Sequence, residues 1–395
     1  MTFHGILSPS SADIRRDNVF NRPMNGSFSI ALSEISSIEE VARQWRQFDR
    51  VGAGSFFTSW SWIGTWLACL PASVTPYLLR IEFGGQGCGA AIAVRRDVRR
   101  LGIARTRYLH LNETGDPQFD CLTIEHNGFA GFAPEDPTPW QALLDWFGSG
   151  AAQADELSIS GVTCDIDAPC RSRSLLPSDR EISAYRVDLA ALRATGGKVG
   201  AILSANSRQQ LSRSMRVLAE SGPVRLVAAE TVEEALTFFE ALKRLHIRSW
   251  TRRGQHHGFI YPFVGQFHRN LIAHGVPRKE VELLRLTAGT RELGYLYNFS
   301  RDGVIYAYQS GFDDEDRRLR PGYVAHALAI EQFAASGAAS YDLMAGANRL
   351  KQSFATEHYT MRWYRLQRPL LRFKAEKLAR AAKRHFVTSR ENPDR

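Results

Sequence analysis

The sequence predicts a mixed α/β chain in two lobes, and three observations support it. At 395 residues the chain is longer than one ordinary core accommodates. Its composition, 44% hydrophobic and 23% charged, is that of a globular protein and excludes a disordered one. The pattern helices near the start, a run of strands, a helix and a strand occurs twice, between residues 28 and 164 and between 184 and 366. The residues themselves show no clear repeat, so any duplication is one of pattern.

The first lobe opens with the alternating strand Phe28-Ser-Ile-Ala-Leu. Ser37 and Glu40 form a capping box before a helix through Trp45 and Phe48. Ser59 caps a second helix whose Trp62, Ile63, Trp66 and Leu67 share one face and read as core. Strands follow at Thr75 to Glu82 and Gly89 to Val94, then a turn-rich loop from Asn112 to Pro117 and a short strand from Asp120 to Ile124. Thr138 and Pro139 are expected as N-cap and first residue of the next helix, with a strand at Leu157 to Ile159 after it. Residues 165–183, with Pro169, Pro177 and several serines, read as a linker.

The second lobe begins at 184. Helices are expected at Ser207 to Glu220, after the Thr231–Glu234 capping box, and at Tyr261 to Ala273; Val224 to Ala228 is a strand between the first two. Strands at Val281 to Thr287, Leu293 to Ser300 and Gly303 to Phe312 follow, the last two joined by an Arg301-Asp302-Gly303 hairpin turn. A helix from Pro321 to Ser336 and strands at Tyr341 to Met344 and Met361 to Leu366 complete the lobe.

No stretch approaches the ~20 apolar residues of a membrane helix. The first 27 residues carry Asp13, Arg15, Arg16 and Asp17 without an apolar run, and read as a flexible leader rather than a signal peptide. Five cysteines, none in a CxxC pair, argue against a disulfide framework or a zinc knuckle and for reduced thiols in the cytoplasm. No metal is expected; His256 and His257 are adjacent, so their side chains point apart. The net charge of +9 is concentrated at the end: residues 365–395 hold ten Lys or Arg against three Asp or Glu, which is +7. Residues 367–395 are expected as a basic helical tail, a solvated helix end or a contact for an acidic partner.

Two stretches carry the chemistry. In the first, Tyr306-Ala-Tyr308-Gln309-Ser310-Gly311-Phe312 leads through a charged loop with Arg317, Arg318 and Arg320 into Pro321-Gly322-Tyr323 at a helix start. Free helix N–H groups, a dipole, cations and a glycine that permits close approach are what a pyrophosphate needs. In the second, the strand Tyr341-Asp342-Leu343-Met344 ends near Gly346, with Lys351 and Phe354 beyond; Asp342 suits a base or an amine contact, Lys351 a carboxylate or phosphate. Candidate proton acceptors are Asp342, Tyr308 through water, and His246 or His326, although both histidines also suit packing roles. Arg252 and Arg253, beside Trp250, suit an acidic acceptor. No Ser-His-Asp set stands out, which favours direct transfer over a covalent intermediate.

The Tyr-x-Tyr-x-Ser-Gly-Phe stretch, the Arg-rich loop with Pro321-Gly322, Tyr341-Asp342 and Gly346-x4-Lys351-x2-Phe354 resemble the GNAT-fold acyltransferases of the cellulose-biosynthesis type, relatives of the Fem-type aminoacyltransferases. Phe57-x2-Trp60-Ser-Trp62 and the Asn112 to Asp120 loop are similar to that family's more divergent N-terminal lobe. The resemblance covers roughly residues 28–366. It implies tandem GNAT-like lobes, each a mixed, largely antiparallel sheet flanked by helices. It implies an acyltransferase that moves an acyl group from acetyl-CoA or a longer acyl-CoA to an amine of a small molecule or polysaccharide precursor. Donor contacts would come from Arg317, Arg318, Arg320, Gly322, Tyr323 and Lys351, catalysis from Asp342, Tyr308 and His246, and acceptor contacts from Trp250, Arg252, Gln309, Asn112 and Asp120. Where this family carries a two-glycine phosphate loop, this chain has Arg317-Arg-Leu-Arg-Pro-Gly322, with one. Two other functions fit the same features: a Fem-like transferase using aminoacyl-tRNA, and a degenerate GNAT lobe serving as a binding module.

Overall fold

The structure is a computed structural model that describes residues 26–51, 54–100, 104–313, 315–316, 318–373 and 375–376. The leader through residue 25, Arg317 and, in the basic tail, residue 374 and residues 377–395 lie outside them. In chain order the first part comprises β1 (Phe28–Glu34), α1 (Ile38–Val51), α2 (Trp60–Cys69), β2 (Pro76–Phe83), β3 (Gln86–Arg100), β4 (Ala104–Leu111), α3 (Pro117–Asp120), α4 (Pro137–Ser149), β5 (Glu156–Val162) and α5 (Asp167–Ser172). Next come β6 (Leu176–Asp188), α6 (Leu189–Ala194), α7 (Ala205–Ala219), β7 (Val224–Ala228), α8 (Val232–Arg252), α9 (Pro262–Gly275), β8 (Val281–Ala288), β9 (Arg291–Arg301) and β10 (Val304–Phe312). The last elements are α10 (Pro321–Ala335), β11 (Ser340–Ala345), α11 (Arg349–Phe354) and β12 (Glu357–Gln367).

The caps that start several helices are those the sequence encodes. Ser37 Oγ accepts from Glu40 N at 3.2 Å, Ser59 Oγ from Trp62 N at 3.3 Å and Thr231 Oγ1 from Glu234 N at 3.1 Å, each satisfying an otherwise orphaned helix donor. At α4 the cap lies two residues earlier than expected. Asp136, whose carboxylate accepts from Thr138 N at 2.8 Å, is the N-cap, and Pro137 occupies the first turn. An ionised cap also opposes the positive end of the helix dipole, which a threonine does not. The strand expected at Asp120 to Ile124 does not form. Asp116 caps the short α3 there, and Asp120 folds back onto the N–H groups of Thr114 and Gly115. Residues 165–183, expected as a linker, contain α5 and the start of β6.

The fold is mixed α/β with one large, mostly antiparallel sheet flanked by helices. Its strand order is β1-β2-β3-β4-β5-β12-β6-β11-β10-β9-β8-β7, twelve strands in all. The order is nearly palindromic. From each outer edge four strands run antiparallel, a parallel pair follows (β4 with β5, β10 with β11), and an antiparallel sixth strand completes the half. Those sixth strands are exchanged. β6 follows the first half in sequence but pairs with β11, whereas β12 follows the second half but pairs with β5. β6 and β12 then pair with each other along Leu176–Arg186 and Glu357–Gln367.

On one sheet face α4 covers β2 to β5 through Leu143, Leu144 and Phe147, while α10, α6 and α7 cover the second half through Val324, Ile330, Leu192 and Leu218. The other face has a single core drawn from both ends of the sheet: Trp45 of α1, Trp62 and Trp66 of α2, Phe239 of α8, Phe267 of α9, Ile92 of β3 and Phe299 of β9. An irregular segment of the first half, residues 121–130, reaches β10 and β11, where Tyr308 Oη donates to Leu122 O and Ala345 N donates to Glu125. Among the described residues no helix is long and apolar enough to cross a membrane.

Two predictions follow from this arrangement. A chain ending at residue 356 lacks β12 and should lose amide-exchange protection in β5, more than 190 residues away in sequence, as well as in β6; protection of β5 equal to that of the full chain would refute the coupling. The second concerns Glu113, which accepts from Ser160 Oγ at 2.6 Å. Burial first, then the charge of Asp120, pushes its carboxyl up to about 8 from an ordinary 4.5. A raised carboxyl stabilises the fold fully only below its unfolded pKa, and that contribution is lost as pH rises through 8. Glu113→Gln should therefore raise the melting temperature clearly at pH 8.5 and little at pH 5.

Candidate functional site

The parallel pairing of β10 with β11 is short. It spans Val304–Tyr306 against Ser340–Asp342 and then ends. β10 continues along β9 to Phe312 with a bulge between Ala307 and Gln309, while β11 bends along β6 to Ala345. The strands therefore part just beyond Tyr306 and Asp342, leaving the inner backbone groups of Tyr308 to Phe312 without a neighbouring strand. A cavity of about 1100 Å³ opens there, large enough for a substrate of cofactor size. It passes through the sheet. His246, Trp250 and Tyr308 line it from the α8 side; Ala307, Tyr323, Leu343 and Leu350 line it from the α10 side.

At the α10 end the cavity meets a helix start with no side-chain cap. Arg320 is the N-cap residue in a left-handed conformation, φ 46°, and its guanidinium bonds Gln210 of α7. Holding a non-glycine residue there costs roughly 1–3 kcal/mol, the kind of strain that concentrates at ligand sites. Gly322 lies against the Phe312 ring, where an added Cβ would stand 3.1 Å from ring carbons. The Tyr323 hydroxyl is buried without a hydrogen-bond partner among the described residues, and its ring stacks on Phe354 at 4.6 Å. Among the described residues the cavity lining holds Arg253, Arg320, Arg349 and Lys351 against one carboxylate, Asp316. Backbone donors, a helix dipole, cations and an unpaired hydroxyl at one place fit the phosphates of an anionic substrate.

Behind the apex where the strands part lies a buried polar cluster. Asp342 is 2% exposed; its carboxylate accepts from Met344 N at 2.7 Å and from Tyr359 Oη at 2.8 Å, and lies 3.2 Å from His126 Nε2. Tyr359 Oη is also 2.9 Å from His126 Nε2. Burial alone would lower the pKa of His126, but the charge and hydrogen bond of Asp342, with the charge of Glu125, outweigh it and raise it. Glu125 accepts from Ala345 N at 2.8 Å, and burial raises its carboxyl above the ordinary range despite Ala345 N, His126 and Lys351. Lys351 Nζ donates to Met344 O at 3.2 Å and Ala345 O at 2.5 Å; burial lowers its pKa against the opposing pull of Glu125 and Asp342.

The residues expected at the site thus fall into groups. Tyr308, His246, Trp250, Gln309, Arg320, Gly322, Tyr323 and Lys351 line the cavity, and Asp342 sits just behind it. The Tyr308 hydroxyl donates to Leu122 O, and burial raises its pKa far above the ordinary value. His246 Nδ1 is 3.2 Å from Ser310 O, its ring stacks on Trp250, and burial lowers its pKa. His326 is held 3.0 Å from Tyr341 Oη and lowered to about 3 by burial, which keeps it neutral. Arg318 pairs with Asp316, and neither it nor Arg252 lines the cavity.

Asn112 and Asp120 lie in the first half and do not line the cavity. The first half has an equivalent opening, where β4 and β5 pair only over Tyr108–His110 and Glu156–Ser158. Residues 124–128 fill it. Asn112 Nδ2 donates to Asn127 Oδ1 at 2.7 Å and Gly128 O at 2.9 Å, and Asn127 Nδ2 donates to Leu111 O at 3.1 Å. Gly161 makes room, since a Cβ there would come within 2.4 Å of Ile124 O. The filled opening thereby delivers Glu125 and His126 to the second half. Neither residue, nor Tyr359, belongs to a recognisable motif; the polar run Glu125-His126-Asn127 between apolar neighbours was the available signal.

Residues 205–352 match the family model described as an acetyltransferase (GNAT) domain. No curated protein sequence matches the chain. Among solved structures, FemX superposes with a TM-score of 0.54 at 11% identity, covering 85% of this chain and 96% of that one. The C-terminal domain of a protein described as a lysylphosphatidylglycerol synthetase, from Agrobacterium fabrum, gives 0.51 at 12% identity over 88% and 96% of the two chains. A conserved protein of unknown function from Bacteroides thetaiotaomicron gives 0.50 at 10% identity over 86% and 100%. Similarity at these identities speaks for the fold alone, and it extends through both halves. The second half of the chain carries a GNAT acetyltransferase domain, and that domain marks the protein as an acyltransferase.

Proposed function

We propose that the chain is an acyl-CoA-dependent N-acyltransferase that passes an acyl group directly to an amine on a small molecule or a polysaccharide precursor. The observation that carries this reading is the cavity that crosses the sheet where β10 and β11 part. A donor entering from the α10 side and an acceptor entering from the α8 side meet inside the sheet without a covalent enzyme intermediate. The polysaccharide-precursor acceptor rests on the resemblance to the cellulose-biosynthesis-type acyltransferases.

Acyl-CoA suits the α10 side. Its pyrophosphate would lie at the uncapped start of α10, near Arg320 and Arg349, with the Tyr323 hydroxyl as a further donor. Its amide-containing arm would lie along the unpaired edge of β10, where free N–H and C=O groups pair with an extended amide chain as an added strand does. The bulged N–H groups between Ala307 and Gln309 are suited to hold the oxyanion as the thioester carbonyl is attacked. On the α8 side, Trp250, His246 and Gln309 form the acceptor wall.

Gly322→Val should abolish saturable acetyl-CoA binding in calorimetry while the protein stays folded, because the added side chain meets Phe312 where the phosphates would sit; unchanged affinity refutes the phosphate site. Tyr323→Phe removes a hydroxyl that has no partner among the described residues. The melting temperature should hold or rise slightly, and acetyl-CoA affinity should fall about tenfold, the ~1.4 kcal/mol expected for one lost hydrogen bond to a charged group. Binding of aminoacyl-tRNA with no binding of acetyl-CoA or a longer acyl-CoA would replace the acyl-CoA reading with the Fem-like one; that binding would weaken steeply with salt.

A further inference from the structure

Within the proposed acyl transfer, the acceptor's ammonium must lose a proton before its nitrogen attacks. The carboxylate of Asp342 is poorly placed to take it, because Met344 N, Tyr359 Oη and His126 Nε2 already occupy both oxygens. Tyr308 is a donor to Leu122 O. His246 lies on the α8 wall, with Nδ1 against Ser310 O.

Glu125 is different. One carboxylate oxygen accepts from Ala345 N at 2.8 Å, and the other makes no hydrogen bond among the described residues. It lies behind the cavity-lining residues Tyr308 and Lys351, where Lys351, Asp342, His126 and the phenol of Tyr308 interact with it. The chain holds it there at a cost. Thr123 and His126 on either side have φ 56° and 49°. Ser55 Oγ donates to His126 O at 2.7 Å, Asn127 N to Gly161 O at 3.0 Å, and Gly161 admits the segment only because it lacks a Cβ. Backbone strain enforced from several sides at a cavity is a feature of functional positions.

We infer that Glu125, supplied by the first half of the chain, is the general base for the second half's reaction, with His126, Asp342 and Tyr359 positioning it. The inference rests on the acyl-CoA reading above. Glu125 takes one proton from the acceptor ammonium, and the freed amine attacks the thioester carbonyl carbon. The C–N bond forms, the C–S bond breaks, and the electron pair leaves on sulfur. The second nitrogen proton passes to the thiolate, and Glu125 returns its own to solvent, so the products are an amide, free CoA thiol and one proton. A carboxyl that burial raises above its ordinary range suits this step, since it binds a proton more strongly than a free carboxylate does.

The test uses the full chain with acetyl-CoA as donor and glucosamine or glycine as amine probe. Acetyl-CoA affinity is measured by calorimetry and thiol release is followed from pH 5 to 9. Glu125→Gln should bind acetyl-CoA as the wild type does, release thiol at least about 100-fold more slowly, and lose the acid limb of the wild-type profile. Glu125→Asp, which keeps a carboxylate one methylene shorter, should regain part of the rate and retain a limb, and it serves equally if the Gln variant does not fold. An unaltered rate and pH profile in either folded variant overturns the inference, as does wild-type protein that binds acetyl-CoA but releases no thiol with either amine. Wild-type protein that does not bind acetyl-CoA overturns the acyl-CoA reading itself, and this inference with it.

Discussion

The antiparallel pairing of β6 with β12 is the constraint on which the rest of the molecule depends. It runs along the middle of the sheet, and each of its strands completes the half that it does not follow in sequence. A sheet half missing its sixth strand would present an open row of N–H and C=O groups in the centre of the molecule. With the exchange made, the sheet ends in β1 on one side and β7 on the other. The same pairing fixes the distance between the halves, and so brings the 121–130 segment of one against β10 and β11 of the other.

Two openings between parallel strands, alike in backbone, have opposite fates. The first is closed by amide side chains whose donors and acceptors are matched within the protein, Asn112 with Asn127, so no ligand is needed to satisfy it. The second is left open, with an uncapped helix, a buried hydroxyl without a partner and an excess of cations. A polar group that remains unmatched inside a fold costs stability, on the order of 1–3 kcal/mol, and at this cavity a ligand can offset that cost. The segment that closes the first opening also reaches the second half, where Glu125 accepts from Ala345 N and His126 meets Asp342.

Local features were legible in the sequence. The boundaries of β7, the caps of α1, α2 and α8, and the run from Tyr306 to Tyr323 all depend on residues near one another in the chain. Part of the cavity wall was legible for the same reason: between Ala307 and His326 one strand, one loop and one helix carry it in order, while α7, α8 and the chain from Leu343 to Ser353 supply the rest. Asp342 and Lys351 were readable from their place at a strand end. What was not legible is non-local. β6 is rich in charged and polar residues and reads as a linker until its partners on both sides are known. Asn112 and Asp120 carry polar groups that suit a ligand equally well, and only the fold shows that Asn127 and the Thr114–Gly115 backbone satisfy them. Glu125 and His126 lie in irregular chain, where periodicity carries no information and burial is invisible.

The position of β12 also has a consequence for how the molecule is made. Synthesis runs from the N-terminus, and domains ordinarily fold as they emerge. Here β5 and β6 are complete long before residues 357–367 leave the ribosome, and each must wait with one edge uncovered for the same late strand. During that interval the nascent chain exposes two pairing surfaces at its centre, where other chains or its own slipped registers can bind them. Slow codons placed just before β12 would prolong that exposure.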